Sequence, residues 1–186
     1  RYVRCFWALD AGRAQARFYP AIHPLQSYSE DVAVLSQFWN QHGNPQWPEQ
    51  RRRFLSLLEE QARLERMARI VGKDALPPRQ QQVLLCAELI NEAFLRQSAF
   101  SPLDRFCSPE RQIAMMQTLV QFIDLCEAAL AQQVDMAEVA ALPLLRRLRR
   151  MGEDIGDQQL DDFDALRRDM ETAFLQLARA GAADAG

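Results

Sequence analysis

Apolar side chains recur at every third or fourth position along most of this chain, the spacing of a helix face. Between residues 30 and 42, Val32, Leu35, Phe38 and Trp39 share such a face, and Gly43-Asn44-Pro45 ends the helix. Pro48 opens a long helix to about Val71, with Phe54, Leu57, Leu58, Leu64, Met67, Ala68 and Val71 on its stripe. Gly72 stops it, and a turn through Pro77-Pro78 leads to a helix over about 79–96 that buries Val83, Ala87, Ile90 and Phe94. So short a turn predicts antiparallel neighbours. Residues 97–109 read as a loop, with Ser108 as N-cap and Pro109 at the first helical position. The helix to about 132 carries Ile113, Met116, Val120, Ile123 and Leu130. A short helix over 135–142 starts from Asp135 and breaks at Pro143. Leu145, Leu148 and Met151 then alternate with Arg146, Arg147, Arg149 and Arg150 in one or two amphipathic turns. The last helix, about 158–180, carries Phe163, Leu166, Met170, Ala173 and Leu177, and residues 181–186 are expected to fray.

The beginning breaks this rhythm. Residues 2–9 are rich in Val, Phe and Trp and read as a buried strand. A strand needs neighbours for its backbone groups, yet no other segment reads as its partner. Either the strand pairs with something missing or the chain begins partway through a larger protein, and the second is the expectation. Ala11 to Arg17 suits one or two helical turns, and Pro20, Pro24 and Ser27-Tyr28-Ser29 impose extended or turn geometry. The predicted fold class is mainly α: a bundle of about five to seven helices, preceded by a terminal strand and an irregular lead-in.

Composition narrows the function. The chain has 186 residues and a net charge of −3, which argues against a dedicated nucleic-acid binder. Lys73 is the only lysine, a coding bias rather than a functional sign. Cys5, Cys86, Cys107 and Cys126 form no C-x-x-C pair and read as buried reduced thiols. With only His23 and His42 as histidines, no metal site is expected. No apolar run is read as long enough to cross a bilayer, and the start has no signal-peptide pattern, so a soluble, cytoplasmic chain is expected. There is no G-x-x-x-x-G-K-[ST] phosphate loop and no nucleophile–base pair, so no catalytic residue is assigned. Tyr19 and Phe100 stand on loops, where a ring either plugs the core, the commoner role, or stacks on a base. Lys73 and Asp74 read as a solvated connection and the arginine cluster as a solvated face.

Several ordered motifs change that weighting. Phe6-Trp7-x-Leu9-Asp10, Arg17-x-Tyr19-Pro20-x-Ile22 and Ser27-Tyr28-Ser29 come first. Arg69-Ile70-Val71-Gly72-Lys73-Asp74-Ala75-Leu76, Phe94-Leu95-x-Gln97-x-Ala99-Phe100 and Asp104-x-x-Cys107-Ser108-Pro109 follow. Together they resemble the catalytic A subunit of V/A-type ATP synthases, the rotary ATPases. Phe18, His23-Pro24, Arg96 and Ser98 depart from the family's usual residues, and Tyr19 to Leu25 is also similar to the F-type catalytic subunit. After Pro109 the likeness is weaker.

The resemblance implies a division of the chain. Residues 1–29 would end a nucleotide-binding α/β domain, residues 30–180 would form the C-terminal helical domain, and 181–186 a tail. Tyr19 and Phe100 would flank the adenine of bound ATP or ADP, whose Mg²⁺ and phosphates would be held upstream. Gly72, Lys73, Asp74, Ala75 and Leu76 would meet the central rotor shaft. Non-catalytic B subunits would be the other partners, with the membrane reached only through the complex. The parent subunit would be an ion-translocating ATPase, and this piece alone inactive. Two rivals carry different expectations. A free-standing helical interaction module predicts Tyr19 and Phe100 far apart. An F-type or non-catalytic rotary subunit predicts the same fold.

Overall fold

The computed structural model describes residues 3–73 and 75–184. In chain order these form strand β1 (Cys5–Phe6), helix α1 (Ala11–Gln15), strand β2 (Tyr28–Ser29) and helices α2 (Val32–Gln41), α3 (Trp47–Val71) and α4 (Pro78–Ile90). A π-helical segment, Asn91–Leu95, extends α4. Helices α5 (Pro109–Ala131), α6 (Met136–Ala140), α7 (Leu144–Asp154) and α8 (Leu160–Asp184) follow. The chain is thus mainly α, as the apolar spacing predicts, with helices α2 to α8 after a small two-stranded lead-in.

Helices α3 and α4 are antiparallel. Phe54 meets Phe94 edge-on at 5.8 Å, while Gln61, further along α3, meets Asn91, earlier in the chain than Phe94, at 2.9 Å. Helix α4 is buried on nearly every side, from Gln82 through Ala87 and again at Leu89 and Ile90, because it packs against α3, α5 and α6 together. Helices α5 and α8 close the far side through Phe122, Phe174, Phe163 and Met170. Ser108 caps α5 through its hydroxyl, which accepts the Arg111 N–H at 3.2 Å. Asp135 caps α6 by accepting the Ala137 N–H at 2.9 Å. Both caps fill donors that a helix start leaves free.

Four expectations are corrected. The first strand is neither buried nor without a partner: Cys5 pairs with Ser29 and Phe6 with Tyr28, antiparallel. Trp7 is 68% and Leu9 85% exposed. Two-residue strands are too short to show a period, which is why the partner was missed. Secondly, α5 is long and apolar enough, by length and composition, to cross a membrane. Here it is a core helix, with ten buried side chains from Arg111 to Ala129. Thirdly, Cys5 is exposed, whereas Cys86 and Cys126 are buried and Cys107 is half-buried. A hydrogen bond with Cys86 and burial push the Cys126 thiol up, and burial pushes the Cys107 thiol up. Fourthly, Met67 lies open rather than on the buried stripe, as does its neighbour Ile70, in the turns of α3 next to the connection. Helix α8 also runs past residue 180 to Asp184, since Ala180, Ala182 and Ala183 are strong helix formers.

Candidate functional site

The lead-in holds its shape by local bonding rather than by a core. Asp10 caps α1 by accepting the Arg13 N–H at 3.0 Å. The His23 N–H donates to the Ala8 carbonyl at 2.8 Å and the Asp10 N–H to the Ala21 carbonyl at 2.9 Å. Nδ1 of His23 accepts from the Leu25 and Gln26 N–H groups at 3.2 and 3.3 Å, so that ring is a turn organiser. The Ser27 hydroxyl accepts the Ala8 N–H at 3.0 Å and donates to the His23 carbonyl at 2.7 Å. Tyr19 stands at the outer bend of this frame, half-exposed, before a cis peptide to Pro20.

The second loop, residues 96–108, follows the π-helical segment. Its Gln97 N–H donates to the Tyr19 carbonyl at 2.7 Å, which joins the loop to the bend of the lead-in. Phe100, three residues on, is 99% exposed. The structure therefore brings together the two segments that carry Tyr19 and Phe100, and leaves both rings open to solvent. Neither ring plugs the core, although that is the commoner fate of a loop aromatic.

A polar junction that sequence reasoning missed lies beside the first loop. Arg13 donates from Nη2 to Asn91 Oδ1 at 2.6 Å. Asn91 Nδ2 donates to Gln61 Oε1 at 2.9 Å and to the Ala87 carbonyl at 3.0 Å. The Arg13 guanidinium also lies 4.4 Å from the centre of the Phe18 ring. Burial lowers its pKa from the ordinary arginine value, while Asp10 and Glu65 act the other way. Arg13, Phe18, Gln61, Glu65 and Asn91 line a cleft of about 600 Å³ between the lead-in and the α3–α4 pair. The sequence signal was Asn91 itself, a polar residue closing the apolar run Leu89-Ile90. The π-helical turn begins there, with the Arg96 N–H reaching the Asn91 carbonyl at 2.9 Å, and such turns often mark functional positions.

The turn between α3 and α4 lies at the other end of α4, about 25 Å from the aromatic loop at the rise of a helix. Gly72 has φ of 86°, a conformation that side chains with a Cβ rarely adopt. Gly72, Lys73 and Ala75 are exposed, and Lys73 forms an ion pair with Glu88. Leu76 is turned inward, 5% exposed, and joins the core. Asp74, the fifth residue of that predicted contact, lies outside the described residues. Among the described residues, no three His, Cys, Asp or Glu side chains gather as a metal site would need.

Comparison with known proteins gives the family. The model of the C-terminal domain of V and A type ATP synthase matches residues 36–142. The A subunit of the A-type ATP synthase of Pyrococcus abyssi is 40% identical over 151 residues, which cover 81% of this chain and 15% of that protein. The same-named protein of Thermococcus onnurineus is 38% identical over 151 residues, 81% of this chain and 26% of that protein. The V-type ATP synthase alpha chain of Halothermothrix orenii is 36% identical over 177 residues, 95% of this chain and 30% of that protein. The chain thus spans between 15% and 30% of the length of these curated relatives. A family match that covers more than half of the residues, on a mainly helical fold, settles the kinship: this chain belongs to the family of C-terminal domains of V and A type ATP synthases.

Proposed function

We propose that this chain works as the C-terminal part of the catalytic A subunit of a V/A-type ATP synthase. That subunit would couple ATP synthesis or hydrolysis to rotation, and through rotation to the transport of H⁺ or Na⁺. Residues 1–29 would complete the nucleotide-binding domain and residues 30–180 would form the helical domain. Partners would be the non-catalytic B subunits and the central rotor shaft, on the cytoplasmic face of the membrane.

Tyr19 and Phe100 would hold the adenine, while the phosphates and Mg²⁺ would be bound by residues outside this chain. The nucleotide supplies the phosphoryl chemistry. The residues of this chain orient the base and carry its binding to the helices. The observation that carries this reading is Phe100. A large ring that is 99% exposed on a hydrogen-bonded loop supports stacking on a flat partner over packing in the core. The exposed turn at Gly72, Lys73 and Ala75 would press on the shaft, with Leu76 anchoring it from inside; Asp74, proposed for the same contact, lies outside the described residues. Ile70, 85% exposed, extends the same end.

Stacking on a base is worth about 1–3 kcal/mol per ring, roughly fivefold or more in affinity. In the full subunit, Tyr19→Ala and Phe100→Ala should each weaken MgATP binding by at least that factor. Titration with a fluorescent adenine nucleotide checks it, and unchanged affinity in both variants overturns the stacking.

A further inference from the structure

Arg111 is 1% exposed although it carries a permanent charge. Its Nη1 donates to the Leu103 carbonyl at 2.7 Å and the Phe106 carbonyl at 2.9 Å. Its Nη2 donates to the Gly152 carbonyl of α7. Asp157 is its carboxylate, at 3.9 Å, and Nε has no hydrogen-bond partner. A buried guanidinium with an unfilled donor is an expensive way to stabilise a helix start, and an apolar side chain would often serve as well. What Arg111 gains is position: the carbonyls it takes belong to the aromatic loop and to α7.

Asp104 grips the same loop from within. It is buried, and its carboxylate accepts the Ser98 N–H. Its carbonyl accepts Gln97 Nε2 at 2.7 Å, and its N–H donates to the Ser101 hydroxyl at 3.2 Å. Gly152 leaves room for this carboxylate. A Cβ there would stand 3.0 Å from Asp104 Oδ1 and 3.2 Å from Met115 Cε. The loop is therefore fixed at Ser98 before Phe100 and at Leu103 and Phe106 after it. The ring between those points has no burial of its own to hold it.

We propose that Asp104 is a positioning residue that holds Phe100 in place for the nucleotide base, with Arg111 and α7 as the fixed wall behind the loop. This rests on the base-stacking reading of Phe100. Steady-state hydrolysis by the assembled ATPase tests it with four forms of the full subunit: unmodified, Phe100→Ala, Asp104→Ala and the double variant. Asp104→Ala should raise KM for MgATP roughly three- to tenfold, with kcat within about twofold. The double variant should be no worse than Phe100→Ala alone, because Asp104 acts through that ring. An unchanged KM in Asp104→Ala, beside a raised KM in Phe100→Ala, overturns the positioning role and leaves the stacking intact. An unchanged KM in Phe100→Ala removes the stacking and the positioning role together. Losses that multiply in the double variant also overturn the proposal, since Asp104 would then act elsewhere. If Asp104→Ala does not assemble, Asp104→Asn keeps the shape and one acceptor for Ser98. It should give a smaller rise in KM, and no rise overturns the proposal.

Discussion

The lead-in and the helical bundle are ordered by different forces. In the bundle, Phe122, Leu148, Phe163 and Met170 are fully buried and belong to one continuous core. Their backbone groups are satisfied within their own helices, so burial supplies the stability. In residues 3–31 the balance is reversed. Trp7 and Leu9 are open to solvent, and order comes from bonds such as His23 to Ala8 and Ser27 to Ala8. Among the described residues, the hydrogen bonds of Arg13 to Asn91 and of Gln97 to Tyr19 fasten this frame to the bundle, and Leu25 packs against the core. A hydrogen-bonded frame with its apolar side outward adds little to stability by itself. It is the more easily moved of the two regions.

Core truncation is the most direct way to break this comparison. Phe163→Ala should cost about 3–5 kcal/mol, because a fully buried ring leaves a cavity. Trp7→Ala should stay within about 0.5 kcal/mol, as an exposed substitution does. Urea denaturation of the chain measures both, and a Trp7 loss as large as that of Phe163 would erase the distinction. Next in size is the junction. Asn91→Ala removes the acceptor of Arg13 and the donor to Gln61, which should cost about 1–3 kcal/mol. Hydrogen exchange should then accelerate at residues 8–23 more than in α4 or α5. Equal acceleration in both regions would mean that Asn91 serves the bundle rather than the fastening. Asn91→Asp, which keeps an acceptor for Arg13, should retain more of the protection.

The same contrast explains what the sequence made legible. Helices α3, α5 and α8 were readable because burial of one face writes a period of 3.6 into the apolar residues, as Phe163, Leu166 and Met170 show, whereas α4 is buried well beyond the predicted Val83, Ala87 and Ile90. The caps at Ser108 and Asp135 were readable because the chemistry of a helix start is local. The pairing of Cys5–Phe6 with Tyr28–Ser29 was not, since two residues carry no period and the contact spans more than twenty positions. Arg111 was hidden for a related reason. It stands between Glu110 and Gln112 in the first turn of α5, where an arginine ordinarily faces water. Only the fold reveals that three carbonyls converge on it. Tyr19 and Phe100 stood out as aromatics on loops, and the family likeness shifted their expected role toward stacking. Composition alone favoured a plugging role that their exposure does not support.

The smallest expected effect on folding lies at the turn between α3 and α4, where both kinds of order meet within four residues. Leu76 belongs to the core, so deleting Lys73 to Leu76 would damage the bundle and confuse any test of the turn. Lys73 differs: it is exposed and paired with Glu88 across the hairpin, and such a pair is worth about 0–1 kcal/mol. Lys73→Ala should therefore change the unfolding free energy by less than about 1 kcal/mol, whereas Leu76→Ala should cost about 2–5 kcal/mol. That separation makes Lys73 the residue with which to test force transmission. In the assembled ATPase, Lys73→Ala combined with Ala75→Asp should leave hydrolysis at a single site intact while lowering the ions moved per ATP. Because this change spares Leu76, a loss of coupling would report on the surface of the turn rather than on a softened core. Coupling that persists unchanged in this variant would make the turn a solvated helix connection, with the work of rotation carried by some other surface of the bundle.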